Sequence, residues 1–191
     1  MDIRAEERAE RSRRQILEAA ARVLGKDPSA SMSEVAAAAG VGRTTLHRQF
    51  GSREDLLVAL ALAAIDQLTA AVAEARPGEG PVPEALARIA ESVFPIADEF
   101  RYLDLGPELW DLPQLKDRWY SVEQALDEVV LRGQREGDLR TDLPAALIAD
   151  LFASALWSVN DSIREGRVAR RDAVPGLLSA LLHGVAAGGP Q

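Results

Sequence analysis

The chain has 191 residues, 47% of them hydrophobic, a formal net charge of −8 and no cysteine. This suits one folded domain or two small ones with a real core. The missing thiols exclude disulfides and thiolate metal sites and fit a reducing cytoplasm. No apolar run is of transmembrane length and no apolar segment follows the charged N-terminus, so neither a membrane span nor a secretory leader is expected.

The net charge hides an asymmetry. Residues 1–53 carry ten Lys+Arg against seven Asp+Glu, a balance of +3, and the other 138 residues carry twelve against twenty-three, a balance of −11. A basic head on an acidic body lets one end approach a polyanion while the rest is repelled from it.

In chain order, Ile16, Ala20, Val23 and Leu24 share one face and predict a first helix over about 10–24, with Gly25 just beyond. Arg4, Arg8, Arg11, Arg13 and Arg14 lead it; they read either as an arm that neutralises phosphate or as a solvated helix end whose charge Glu6, Glu7 and Glu10 offset. Ser31 followed by Glu34 has capping-box spacing and opens a second helix over 33–39. Ala39-Gly40-Val41 reads as its stop, with Gly40 free to turn left-handed. A third helix over 43–50 places Leu46 and Phe50 on one face and Arg43, Thr44, His47 and Arg48 on the other. Two short helices joined by a tight Gly-containing turn, the second tipped with Arg and hydroxyl groups, make a helix-turn-helix. Such a helix can enter the major groove, where Arg pairs with guanine and a Thr methyl meets thymine.

Residues 32–57, with Ala39-Gly40-Val41, Thr45-Leu46-His47-Arg48-Gln49-Phe50 and Arg53-Glu54-Asp55-Leu56, resemble the DNA-binding segment of TetR-family transcriptional regulators. His47 stands where that family usually has Tyr, and Arg53 where it usually has Lys. The resemblance covers about a quarter of the chain. It implies that Arg43, Thr44 and Thr45 face the bases, that His47, Arg48 and Arg53 hold phosphates, and that Ser33 offers a backbone contact. It also implies a domain organisation: a helix-turn-helix head over 1–52 and a helical ligand-binding and dimerisation body over 53–191.

A fourth helix begins at Ser52, with Asp55 three residues on, and its apolar spacing runs without a breaker to Pro77. The stretch 77–83 is rich in Pro and Gly and reads as a loop. Further helices are expected over about 83–100, from Trp119 to near Gly137, and over 142–164 and 172–186. The irregular stretch 101–113, broken by Gly106, Pro107 and Pro113 yet carrying Tyr102, Leu109 and Trp110, suggests a short helix over a core or cavity. The fold class is therefore all-α, with about nine helices and no strand alternation.

The resemblance implies a small-molecule pocket in the body. Phe94, Tyr102, Trp110, Trp119, Phe152 and Trp157, with Asn160 and Asp161 as polar handles, are its candidates, although large side chains default to the core. The last two helices carry more apolar surface than one core needs, and pairing 142–164 and 172–186 with a second copy would bury the excess. Taken together, the expectation is a cytoplasmic, ligand-responsive regulator, repression being the family's commoner outcome, that binds a pseudo-palindromic operator as a homodimer and is released by an unidentified small molecule. No catalytic, metal or cofactor motif is found: the only histidines are His47 and His183. An all-α enzyme lacking a recognisable motif and a helical protein-interaction module are the alternatives.

Overall fold

The computed structural model describes residues 3–97 and 111–183, and within them every regular element is a helix. Eight are present: α1 (Ile3–Lys26), α2 (Met32–Ala38), α3 (Arg43–Gln49), α4 (Arg53–Glu74), α5 (Val82–Ala97), α6 (Pro113–Glu136), α7 (Ala145–Arg164) and α8 (Arg170–His183). The short helix expected within 101–113 falls mostly on residues outside this set, as do 184–186 of the last one.

Among the helix limits that differ from the sequence reading, three have a local reason. Helix α1 begins at Ile3 rather than near residue 10. Apolar periodicity is absent there, but Glu7 and Glu10 precede Arg11 and Arg14 by four residues, the favourable order of charge on a helix. Pro113 opens α6 instead of interrupting it: the first helical position needs no N–H donor, and Leu115 and Lys116 already donate back to the Leu112 carbonyl at 3.0 and 3.1 Å. Conversely α7 starts after Pro144, which is an extended N-cap, because a residue preceding proline is disfavoured in helical geometry.

Helix contacts divide the chain into two compact units, and the divisions fall inside α4 and α6. In the described residues the first comprises 3–66 and 111–118. Its core joins Ile16, Ala20 and Leu24 of α1, Val35 and Ala36 of α2, Leu46, Phe50, and Leu56 and Leu60 of α4, together with Leu115. The second comprises 67–97 and 119–183. Here α5, α7 and α8 pack on one another around Leu86, Ile89, Val93, Phe94, Phe152, Leu156, Ala173 and Leu177.

One expectation is corrected. Arg53–Glu74 is, by length and composition alone, apolar enough to cross a membrane, although no such run was expected. Half of that window is buried inside the protein, where Leu56, Leu60, Ala64, Ile65, Leu68 and Val72 serve the helix packing. Asp66, midway along α4, forms a salt bridge with Arg118.

Within the second unit, Gly133 lets α6 meet the segment after it. A Cβ there would lie 2.8 Å from Leu139 Cγ and 2.9 Å from Val82 Cγ1. Gly133→Ala should therefore lower stability by about 1–3 kcal/mol from overpacking, less the gain of up to about 1 kcal/mol from better helix propensity. Gly25→Ala in α1, where an added Cβ meets nothing within 4 Å, should be neutral or stabilising. Chemical denaturation of the two variants beside the parent protein checks both signs.

Candidate nucleic-acid interface

The helix-turn-helix is built by two capping devices. At the start of α2, the Ser31 amide and hydroxyl both donate to Glu34 Oε2 at 2.7 Å, and the Glu34 amide returns a bond to the Ser31 hydroxyl at 3.3 Å. At its end, Gly40 takes φ +66° while its amide donates to the Ala37 carbonyl and that of Val41 to Ala36, the paired bonds of a Schellman stop. Only a residue without a Cβ accepts that backbone readily. The chain is thereby reversed into α3 after four residues.

Helix α3 has seven residues, and its apolar stripe is minimal. Leu46 is buried within it, and Phe50 is buried immediately after it. Burying that stripe turns the opposite side outward. Arg43, Thr44, His47 and Arg48 are exposed, and Thr45 is half-buried. Ser33 lies half-buried at the start of α2.

Two arginines are occupied within the protein instead. Arg13 of α1 lies with its guanidinium carbon 4.5 Å from the Phe50 ring centroid and donates to the Gln49 carbonyl at 3.3 Å, while the Gln49 side-chain amide donates back to the Ala9 carbonyl. Arg53, half-buried at the start of α4, donates from Nη1 to the Ala30 carbonyl and from Nη2 to the Pro28 carbonyl at 2.6 Å. Arg8, Arg11 and Arg14 remain exposed on α1.

The second unit contains a cavity of about 620 Å³. Trp119, Phe152 and Trp157 line it; Phe94 is buried in the surrounding core but is not part of the wall. Asn160 is also buried, outside the wall. Tyr102 and Trp110 lie outside the described residues. The wall also carries Glu123, Asp127 and Asp150, which the sequence reading passed over. A signal was present. Trp119, Glu123 and Asp127 recur at every fourth position of α6, and Asp150 and Trp157 are seven apart on α7, so each acid shares a helix face with an indole. No Arg, Lys or His is among the described residues of the wall; Glu123 and Asp150 are exposed there and Asp127 is half-buried. The Trp119 indole N–H donates to Glu123 Oε1 at 2.8 Å.

The family description "Bacterial regulatory proteins, tetR family" matches residues 16–60, the segment that builds α2 and α3 and their supports. The transcriptional repressor LfrR of Mycolicibacterium smegmatis is 34% identical over 176 residues, covering 92% of this chain and 91% of that protein. The chain belongs to the TetR family. It is accordingly a helix-turn-helix transcriptional regulator. The regulator NfxB of Pseudomonas aeruginosa is 30% identical over 171 residues, covering 88% and 91% of the two chains. A crystal structure of LfrR from Mycobacterium smegmatis in complex with proflavine superposes with a TM-score of 0.81 at 32% identity, covering 94% of this chain and 98% of that one. This TetR-family chain has the all-helical fold that its motif implied.

The capping box at Ser31 also ties the stability of α2 to pH. Hydrogen bonds from the Ser31 amide and hydroxyl hold the Glu34 carboxyl below its ordinary range. A group so lowered adds stability in full above its unfolded value and loses it as pH falls through the folded one. Glu34→Gln, which keeps the box but not the charge, should therefore flatten the acid side of the melting profile below about pH 5. Thermal melts from neutral pH downward check this; parallel acid limbs for the two proteins would remove Glu34 from the account.

Proposed function

We propose that this chain is a ligand-responsive repressor that binds a pseudo-palindromic operator as a homodimer and is released by a flat aromatic cation. The observation that carries the DNA reading is α3 itself, whose buried Leu46 and Phe50 leave Arg43, Thr44, His47 and Arg48 facing outward. Residues 1–52 act as the reading head and 53–191 as the ligand-binding and dimerisation body. Arg43, Thr44 and Thr45 read base edges, His47 and Arg48 hold phosphates, and Ser33 supports the backbone contact. A dimer presents two such helices to successive half-sites. Leu147 and Leu151, one turn apart on α7, are 43% and 48% exposed, which supports a second copy packing against 142–164 and 172–186. Working on DNA, the protein belongs in the cytoplasm. Binding, with no turnover of the ligand, accounts for every feature of the site; an enzyme or an interaction module would leave α3 unexplained.

The effector class follows from the cavity wall. Two indoles offer flat apolar faces, and three carboxylates offer negative charge. A planar cation meets both needs, and the proflavine complex of LfrR supports this reading. Ligand binding releases DNA only if the ligand prefers a conformation whose two heads no longer match the half-sites, which is a shift of population by differential affinity.

Two measurements test the reading. Arg43→Ala should cost about 1–3 kcal/mol of operator binding and relax preference at one base pair; a uniform loss over all sequences would make Arg43 a phosphate contact instead. Proflavine added to the protein should quench indole fluorescence saturably, and replacing Asp127 and Asp150 together by Asn should raise its dissociation constant about tenfold, roughly 1.4 kcal/mol. Unchanged affinity in that double variant would exclude the carboxylates as the cation's partners.

A further inference from the structure

We infer that Arg53 is a positioning residue that fastens the first turn of α4 to the turn that starts α2, and so holds the DNA-reading helix that follows. The family resemblance would send this guanidinium to a phosphate. In the structure it bonds inward instead, and what it joins is specific. The Pro28 and Ala30 carbonyls are two residues apart on the connection between α1 and α2, and one planar fork reaches both from separate nitrogens.

Both ends of this link are stiff. Arg53 follows Ser52, whose amide and hydroxyl each donate to Asp55 Oδ2 at 2.9 Å while the Asp55 amide donates back to the Ser52 hydroxyl at 3.0 Å. That second capping box holds the base of the Arg53 side chain rigidly to α4. At the other end, Asp27 accepts from the Ser29 amide at 2.9 Å and from its hydroxyl at 2.6 Å, and the Ala30 amide donates to the Asp27 carbonyl. Ser29 holds the Asp27 carboxyl below its ordinary range, and the Arg53 charge contributes in the same direction. Ser31, next in the chain, is the N-cap of α2. The starts of α4 and α2 are therefore tied by two charge-assisted bonds between capped segments. The Schellman turn at Gly40 joins α2 to α3. Lysine presents its donors from one nitrogen, so it does not reproduce a planar fork that reaches the two carbonyls from separate nitrogens.

The inference rests on α3 being the DNA-reading helix, and the test separates the two. Binding to DNA flanking the protein's own gene is measured across a salt series for the parent protein, Arg53→Ala, Arg53→Lys and Arg48→Ala. A positioning role predicts about a tenfold loss for Arg53→Ala with the slope of log affinity against log salt unchanged. Arg53→Lys fails to restore affinity. A phosphate contact predicts a slope lower by about one in Arg53→Ala and rescue by Arg53→Lys, and that result would overturn the inference. Arg48→Ala calibrates the slope.

If the parent protein does not bind the DNA, the functional reading falls by itself. The fastening is then decided by amide hydrogen exchange at residues 29–35, which both Arg53 variants must accelerate. Unchanged exchange would refute it.

Discussion

A seven-residue helix has almost no stability of its own in water, since nucleation costs more than so few hydrogen bonds return. Helix α3 therefore exists because Leu46 and Phe50 are buried in the core of the first unit, and that burial fixes its rotation. Everything the protein presents to DNA is a consequence of this small apolar anchorage. Gln49 adds a polar tie, its side-chain amide donating to the Ala9 carbonyl of α1. Arg43, Thr44, His47 and Arg48 stand exposed on the other side, the separation of scaffold from reader that a helix-turn-helix needs.

Arginine serves two unlike purposes in this chain. Arg43 and Arg48 stand in solvent, whereas Arg13, Arg53, Arg88 and Arg132 each close on backbone carbonyls of other segments. Arg88 donates to the carbonyls of Ala75, Arg76 and Glu79, and Arg132 to those of Pro77 and Gly80. Together they brace the connection after α4, where Arg76 takes a left-handed φ of 50°. Carbonyls exposed at helix ends and turns lack intrahelical partners, and a guanidinium with five donors satisfies several at once. The basic balance of the first 53 residues thus overstates the charge available to DNA, because part of it is committed internally.

The cavity of the second unit is organised by the same helical periodicity that builds the core. The α6 stripe of Trp119, Glu123 and Asp127 and the α7 stripe of Asp150 and Trp157 bring charge and aromatic surface to one cavity. Glu123 and Asp150 are exposed and Asp127 is half-buried, so the carboxylates keep contact with water at the rim of this apolar space.

The sequence alone determined the helix-turn-helix, because its signals are local: the Ser31–Glu34 spacing, the Gly40 turn, and the four-residue interval between Leu46 and Phe50. It also determined the all-α class and the family, through residues 32–57. Tertiary structure decided which charges face outward. No local pattern distinguishes Arg53 from Arg48; only the distant Pro28 and Ala30 carbonyls do, and they are more than twenty positions away in the chain. Tertiary structure likewise sorted the aromatics. Phe94 and Phe152 are equally buried, and Phe152 borders the cavity because α7 meets α6 there. Periodicity says which side of a helix is apolar, but whether that side meets a neighbour or an open space depends on how helices far apart in sequence come together.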